Sequence, residues 1–304
     1  MSLNKKAIQL LEDNDYETAL SFFQQAVKEQ RDVQSLTNLA WFYYREEDAD
    51  EIAIELLIEA VRMNPTTYFP YNLLGEIYLK KGMWQNASIM LRQAIEIEPT
   101  TEACFNLGAV MYQLNNFEQA AIFYKRSAGD SDYALYSYVK CLIGLGKIQE
   151  AKQKLSTFTG KEDDFVGEIE VAELYMELGC YDLAVSWYEK GWTSYWHQPS
   201  WISGYVYSLL ETNQIERAII VQKEALQRKN EELEESYEEQ CDEHWTEHDK
   251  HEYINTLRED KAEFEQMISR ISNGYIPSAE FNPSIRTRCY LFGCVRHNYP
   301  EYVD

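Results

Sequence analysis

The amino-acid sequence predicts an all-α fold: an α-solenoid of about seven two-helix repeats over residues 3–229, an acidic helical cap over 230–272 and an aromatic-rich, irregular tail over 273–304. Three observations predict it. Ala19, Ala53, Ala87, Ala120, Ala151, Ala184 and Ala218 follow one another at steps of 34, 34, 33, 31, 33 and 34 residues. Ala26, Ala60 and Ala94 share the 34-residue step, as do Pro65 and Pro99. A large aromatic or aliphatic side chain stands three places before most of the first series, at Tyr16, Trp84, Phe117, Ile148, Tyr181 and Ile215. Self-similarity at such a period marks units that cannot bury their apolar faces alone and stack to do so.

The series sets the repeats at about 3–31, 34–65, 68–99, 101–129, 132–159, 165–195 and 199–229. Each is read as two antiparallel helices of three to four turns. Small residues such as Gly75, Ala87 and Ala94 mark close approach of helix axes, and Tyr78, Trp84 and Leu91 fill the space between helices. Gly82, Gly146 and Gly179 suit the turn between the two helices, where a positive φ is cheap for Gly or Asn. Pro65 and Pro99 end the second helix and suit the start of the next unit.

The third repeat shows the pattern most fully, with Tyr71, Leu74, Gly75, Tyr78, Gly82, Trp84, Ala87, Ala94 and Pro99 in register. In residue type and spacing it resembles the tetratricopeptide repeat family, apart from Leu91 where an aromatic is usual. The fourth copy keeps Leu107, Gly108, Phe117, Ala120 and Tyr124, and the sixth keeps Tyr175, Gly179, Tyr181, Ala184 and Tyr188. The seventh keeps Ala218 and Ala225 and has Asn213 where Gly is usual. The resemblance covers about three quarters of the chain.

What the resemblance implies is a right-handed superhelix whose first helices line a concave, peptide-binding face. Carried over copy by copy, it places Thr37, Trp41, Tyr44 and Arg45 there, then Phe69, Asn72, Glu76, Leu79 and Lys80. Next come Phe105 and Tyr112, then Tyr133, Tyr136 and Lys140, then Ile169, Glu173 and Met176, and last Ser203, Tyr207 and Leu210. The second copy needs one extra residue between its helices, which loosens its register. Rigid aromatic rings give contact area at low entropic cost, so the groove residues Trp41, Tyr44, Arg45, Phe69, Asn72, Glu76, Lys80, Phe105, Tyr112, Tyr133, Tyr136, Lys140 and Tyr207 suit a protein or peptide ligand. The Lys and Asn pattern with which chaperone-binding members of the family clamp a terminal carboxylate is not found. The competing reading of these aromatics is packing against neighbouring helices or the chain's own tail.

Beyond the repeats, Leu226, Leu233, Tyr237 and Cys241 share a helical stripe, which shifts phase to Ile254, Leu257, Phe264, Ile268 and Ile271. Two helices, or one bent helix, are expected. Residues 231–252 hold eleven acidic side chains and one basic, Lys250, a solvated face or a patch for a basic partner. Within that stretch Cys241, His244, His248 and His251 would share a face if one helix carried them all. Four ligands along one straight helix span about 15 Å, too long for one tetrahedron. At most the pair His244 and His248 could share an ion, and a semi-buried helix face is the plainer reading. The tail breaks helices at Asn273-Gly274, Pro277 and Pro283, and its aromatics predict that it packs back on the solenoid. Cys289 and Cys294 read as free thiols, with a local disulfide as the alternative.

The formal net charge of −23 argues against nucleic acid, which needs clustered cations. No apolar run approaches the length of a membrane span. The N-terminal stretch lacks the features of a secretory signal, which with scattered cysteines points to a reduced, cytoplasmic setting. With the first repeat beginning near residue 3, no helix-turn-helix domain is expected ahead of it. No phosphate-binding glycine loop, nucleophile elbow or catalytic pair appears, so a non-enzymatic scaffold without cofactor is expected. The alternatives are a self-associating homo-oligomeric subunit and a metal-binding protein using the histidine-bearing segment 241–251.

Overall fold

Helical hairpins recur along the chain. The structure, a computed structural model, describes residues 1–129, 131–160 and 165–302. Among these residues there are fifteen helices and no strand, so the fold is an all-α solenoid of two-helix repeats. The hairpins are α1 (Leu3–Glu12) with α2 (Tyr16–Glu29), α3 (Val33–Glu46) with α4 (Asp50–Arg62), α5 (Phe69–Lys80) with α6 (Trp84–Ile97), and α7 (Thr101–Gln113) with α8 (Phe117–Ala128). Then follow α9 (Asp132–Gly144) and α10 (Ile148–Leu155), α11 (Glu168–Glu177) with α12 (Tyr181–Gly191), α13 (Pro199–Glu211) with α14 (Ile215–Glu238), and α15 (Glu247–Ser272). Two units divide the chain: Met1–Cys141 together with Pro283–Asp304, and Leu142–Asn282.

Local chemistry sets the ends of these helices. Asp15, Asp32, Thr100 and Asn116 each accept a hydrogen bond from a backbone N–H of the first turn they precede. The turns inside the hairpins use a left-handed residue: Gly82 at φ 70°, Gly146 at 68° and Gly179 at 66°. Asn14, Asn115 and Asn213 do the same at 61°, 56° and 59°, so Asn213 replaces the usual glycine without changing the turn.

In the first unit, Ala19, Ala53, Ala87 and Ala120 are wholly buried, as are Ala60 and Ala94. Gly75 and Gly108 let α5 and α7 close on their partners. A Cβ at Gly75 would lie 2.7 Å from Leu91 Cγ, and one at Gly108 would lie 2.9 Å from Tyr124 Cδ1. The core at the N-terminal end joins Ile8, Phe23, Leu36 and Phe42 to Leu291 and Cys294 of the tail. The tail is therefore part of the first unit's interior.

In the second unit, α14 and α15 pack as a hairpin through Leu233, Ile254 and Leu257. Lys229 reaches Asp260 at 3.2 Å across them. The expected common face of Cys241, His244, His248 and His251 is corrected here. Residues 239–246 are not helical, so Cys241 and His244 lie in the connection while His248 and His251 lie on α15. The cause is local capping. The Asp242 side chain accepts from the N–H groups of His244 and Trp245, and Thr246 with Asp249 forms a capping box that starts α15 afresh. The semi-buried reading fails too, since the His244 and His248 side chains are 87% and 79% exposed.

Gly108→Ala tests the close approach of α7 and α8. Alanine would ordinarily gain about 1 kcal/mol in a helix interior. Here the added methyl meets a fully buried tyrosine ring, and overpacking of this kind costs about 1–3 kcal/mol. The variant is expected to unfold a few degrees lower by thermal circular dichroism. A midpoint at or above that of the wild type would show slack around Tyr124.

Candidate functional site

The inner helices of the first unit, α3, α5 and α7, present their polar side chains to one segment, residues 286–302. Asn106 on α7 holds the backbone of Arg286 at both ends: its Nδ2 donates to Arg286 O at 2.7 Å and its Oδ1 accepts from Arg286 N at 2.8 Å. Asn38 on α3 does the same to Phe292, donating to O at 3.1 Å and accepting from N at 2.8 Å. These are the bonds a neighbouring strand would make, supplied by side-chain amides. Gln34 Oε1 accepts from Tyr302 N at 2.7 Å and adds a third backbone contact.

Side chains of the segment fill the spaces between these clasps. Phe69 on α5 stacks on Phe292 at 4.7 Å and meets Tyr290 and Tyr299 edge-on at 5.8 and 5.0 Å. Tyr290 is wholly buried, with Leu291 and Phe292 nearly so. The Arg286 guanidinium lies 4.8 Å from the centroid of the Phe105 ring, and its Nη2 donates to Ser131 Oγ. Arg288 pairs with Glu102 at 3.2 Å and donates to Tyr299 Oη at 2.7 Å. Phe69 and Phe105 thus pack on a segment of the same chain, and the cations of the contact, Arg286 and Arg288, come from that segment.

Of the residues placed on the groove by sequence, Trp41, Phe69, Glu76 and Phe105 gather around this segment. Trp41 lines a cavity with Cys289 and Leu291. Glu76 is fully buried, pairs with Arg45 at 3.1 Å, and its charge bears on Tyr290. Tyr44 packs against Arg45 and Lys80, whose cationic groups lie 5.0 and 5.1 Å from its ring centroid. Lys80 itself turns to Asp48 and Asp50, each at 3.3 Å, and Asn72 is buried and donates to Thr100 Oγ1 at 3.4 Å. Tyr136 and Lys140 are buried on α9, whereas Tyr133 is 41% exposed. Tyr112 packs edge-on against Phe117 at 5.1 Å.

In the second unit, Tyr207 meets Tyr181 edge-on at 5.7 Å. There Glu173 and Ser203 line a cavity of about 420 Å³ with Glu263, Met267, Arg270 and Tyr275. Ile169 and Met176 are buried.

Sequence reasoning placed Thr37 on the inner face, but Thr37 Oγ1 donates to Val33 O inside its own helix and Asn38 makes the contact. Asn106, Gln34 and Glu102 were not singled out either. A signal for two of them stands in the sequence: Asn4, Asn38, Asn72 and Asn106 recur at 34-residue steps. Only Asn38 and Asn106 of this series meet the tail, since Asn4 bonds to Ser35 and Asn72 to Thr100.

Comparison with known proteins agrees with this architecture. Residues 70–101 match the tetratricopeptide repeat family model. A tetratricopeptide repeat protein from Parabacteroides merdae superposes with a TM-score of 0.55 at 18% identity, over 73% of this chain and 90% of that one. PilF of Pseudomonas aeruginosa gives 0.52 at 17% identity, over 64% and 92%. PilW, described as a type IV pilus biogenesis factor, gives 0.52 at 18%, over 63% and 91%. A search of curated proteins finds no match. Residues 70–101 thus match one tetratricopeptide repeat, and the hairpins on either side of it share the fold of the repeat structures that the chain resembles.

Two outcomes are expected at this site. Burial pushes the Glu76 carboxyl up to about 7, against the opposing pull of Arg45. The folded state then holds this proton more tightly than the unfolded state does. The stability it contributes is full below the ordinary carboxylate range and is lost as pH rises to about 7. Glu76→Gln is expected to match the wild type near pH 4 and to exceed it by about 1–3 kcal/mol at pH 8 in urea unfolding. Equal stability at both pH values would mean that Arg45 offsets the burial in full. Asn38→Ala strands a buried N–H and C=O of Phe292 and is expected to cost about 2–4 kcal/mol. Faster amide exchange at Phe292 than at Arg286 would locate the loss.

Proposed function

We propose that this protein is a non-enzymatic protein-binding scaffold, and that the inner face of its first unit is a site for an extended peptide segment. One observation supports the reading above others: two asparagines two repeats apart each take both backbone groups of a residue in a bound segment. Contacts to backbone fix a peptide's path without regard to sequence, and pockets for alternate side chains add selectivity. Phe69, Phe105 and Glu102 supply those pockets, for an aromatic side chain and for two arginines. The ligand class is a protein segment in which arginines precede aromatic residues. In the chain by itself, residues 286–302 take that place, so an incoming segment competes with a tethered one.

The test separates the groove from its own guest. Tyr290→Ala with Phe292→Ala weakens the tail and leaves the groove residues intact. A labelled synthetic peptide of residues 283–302 is expected to bind this variant saturably by fluorescence anisotropy and to bind the wild-type chain far less. Phe69→Ala added to the variant is expected to remove the binding. A folded, tail-weakened chain that ignores the peptide would overturn the reading.

A further inference from the structure

Near its end, just past the residue that Asn38 clasps, the tail folds into a tight loop. Cys294 N donates to Leu291 O at 3.2 Å, Tyr299 N to Cys294 O at 3.0 Å and Gly293 N to Pro300 O at 3.0 Å. Gly293 and Asn298 turn the chain at φ 83° and 53°. The loop brings Cys289 Sγ, Cys294 Sγ and a ring nitrogen of His297 within 4.8 Å of one another. Cys294 Sγ already stands 3.1 Å from His297 Nδ1. The His297 ring stacks on Tyr299 at 5.4 Å, which holds its plane.

We propose that Cys289, Cys294 and His297 form a zinc site that fastens the end of the tail. Two thiolates and an imidazole are a donor set that favours zinc over the hard cations. Bonds of about 2.0–2.3 Å in a tetrahedron put ligand atoms roughly 3.3–3.8 Å apart, so movement of about an ångström closes the set. The surroundings suit a metal. A cavity of about 210 Å³ adjoins the three ligands and is also lined by Glu12, Trp41 and Ile8. Glu12 Oε1 is buried there without a hydrogen bond, with Arg296 Nε 3.7 Å away, and Trp41 Nε1 is buried without an acceptor. Glu12 shares the cavity but is not among the three clustered donors, which leaves the fourth position to a water. Without a metal, burial pushes the Cys289 thiol up to about 12, so metal uptake has to displace its proton.

The sequence carries this site as Cys-x4-Cys-x2-His, at residues whose apolar neighbours Leu291 and Phe292 are held by the inner face. A metal there ties a loop already docked against α1 and so adds to the stability of the whole tail contact. The site needs no other segment in the groove, since all three donors lie within the tail itself.

The test uses the full chain, reduced and stripped of metal with a chelator. Zinc is expected to bind at one equivalent and to raise the thermal midpoint. Cobalt in its place is expected to give tetrahedral d–d bands and a thiolate charge-transfer band. Cys294→Ser is expected to abolish binding, and His297→Ala to weaken it by about tenfold or more, the scale of losing one ligand-shell group. Since His297 is exposed, its variant keeps the test informative even where the buried cysteine variant folds poorly. Failure of the reduced chain to take up either metal overturns the proposal. So does uptake that His297→Ala leaves unchanged, or a Cys289–Cys294 disulfide whose reduction yields no metal binding.

Discussion

A helical hairpin has an apolar face on each side, and no hairpin covers both by itself. Stacking covers the faces that meet neighbouring hairpins, through contacts such as Gly108 against Tyr124 and Gly75 against Leu91. It leaves the inner face, where the first helices of successive hairpins line up. In the first unit that face holds Phe69, Phe105, Glu76 and two asparagine amides. Left open, it would expose apolar rings to water beside polar groups that only water could partner. The tail supplies both at once: rings for the rings, backbone groups for the amides and guanidinium groups for Phe105 and Glu102. The rest of the first unit depends on this cover, because Leu291 and Cys294 enter the same core as Ile8, Phe23 and Phe42.

The repeat fold was legible because its signal is redundant. Alanines, prolines and turn residues at one period agree with each other, and any single departure, such as Asn213 for glycine, is absorbed by a residue with the same backbone freedom. The groove was legible in kind but not in detail. Trp41, Phe69, Glu76 and Phe105 lie around the tail segment, while at the start of the second copy Asn38 and not Thr37 makes the contact. One residue on a helix is a rotation of about 100°, and an uncertain connection between α3 and α4 is enough to hide it. The asparagine series at 34-residue steps does not fix the phase either, since Asn72 stands three places before Gly75 and Asn106 two before Gly108.

The tail packs back on the helices, as its aromatics led one to expect, but its path was not legible, for a different reason. Its run Arg288 to Val295 has strand propensity, yet no strand forms, since its backbone partners are side chains of distant helices. Periodicity within a segment says nothing about partners of that sort. The histidine-bearing stretch shows the opposite error, a pattern that looked helical across a break. Asp242 and Thr246 offer the backbone local hydrogen bonds that end one helix and begin another, and a stripe drawn through such residues has no common face.

A guest that is part of the same chain alters what the groove can do for others. A tethered segment competes at an effective concentration in the millimolar range for short flexible connections, so a free peptide of equal intrinsic affinity would rarely displace it. Ordering the segment costs about 1–2 kcal/mol for every residue fixed, more than the burial of Tyr290, Leu291 and Phe292 alone returns, so the balance also rests on the polar contacts at Asn38, Asn106 and Glu102 and on whatever holds the loop at Cys294. A metal bound at that loop would set how firmly the face is closed. The hold on the tail, and with it access to the groove, would then follow the redox state of two thiols more than the strength of any single aromatic contact.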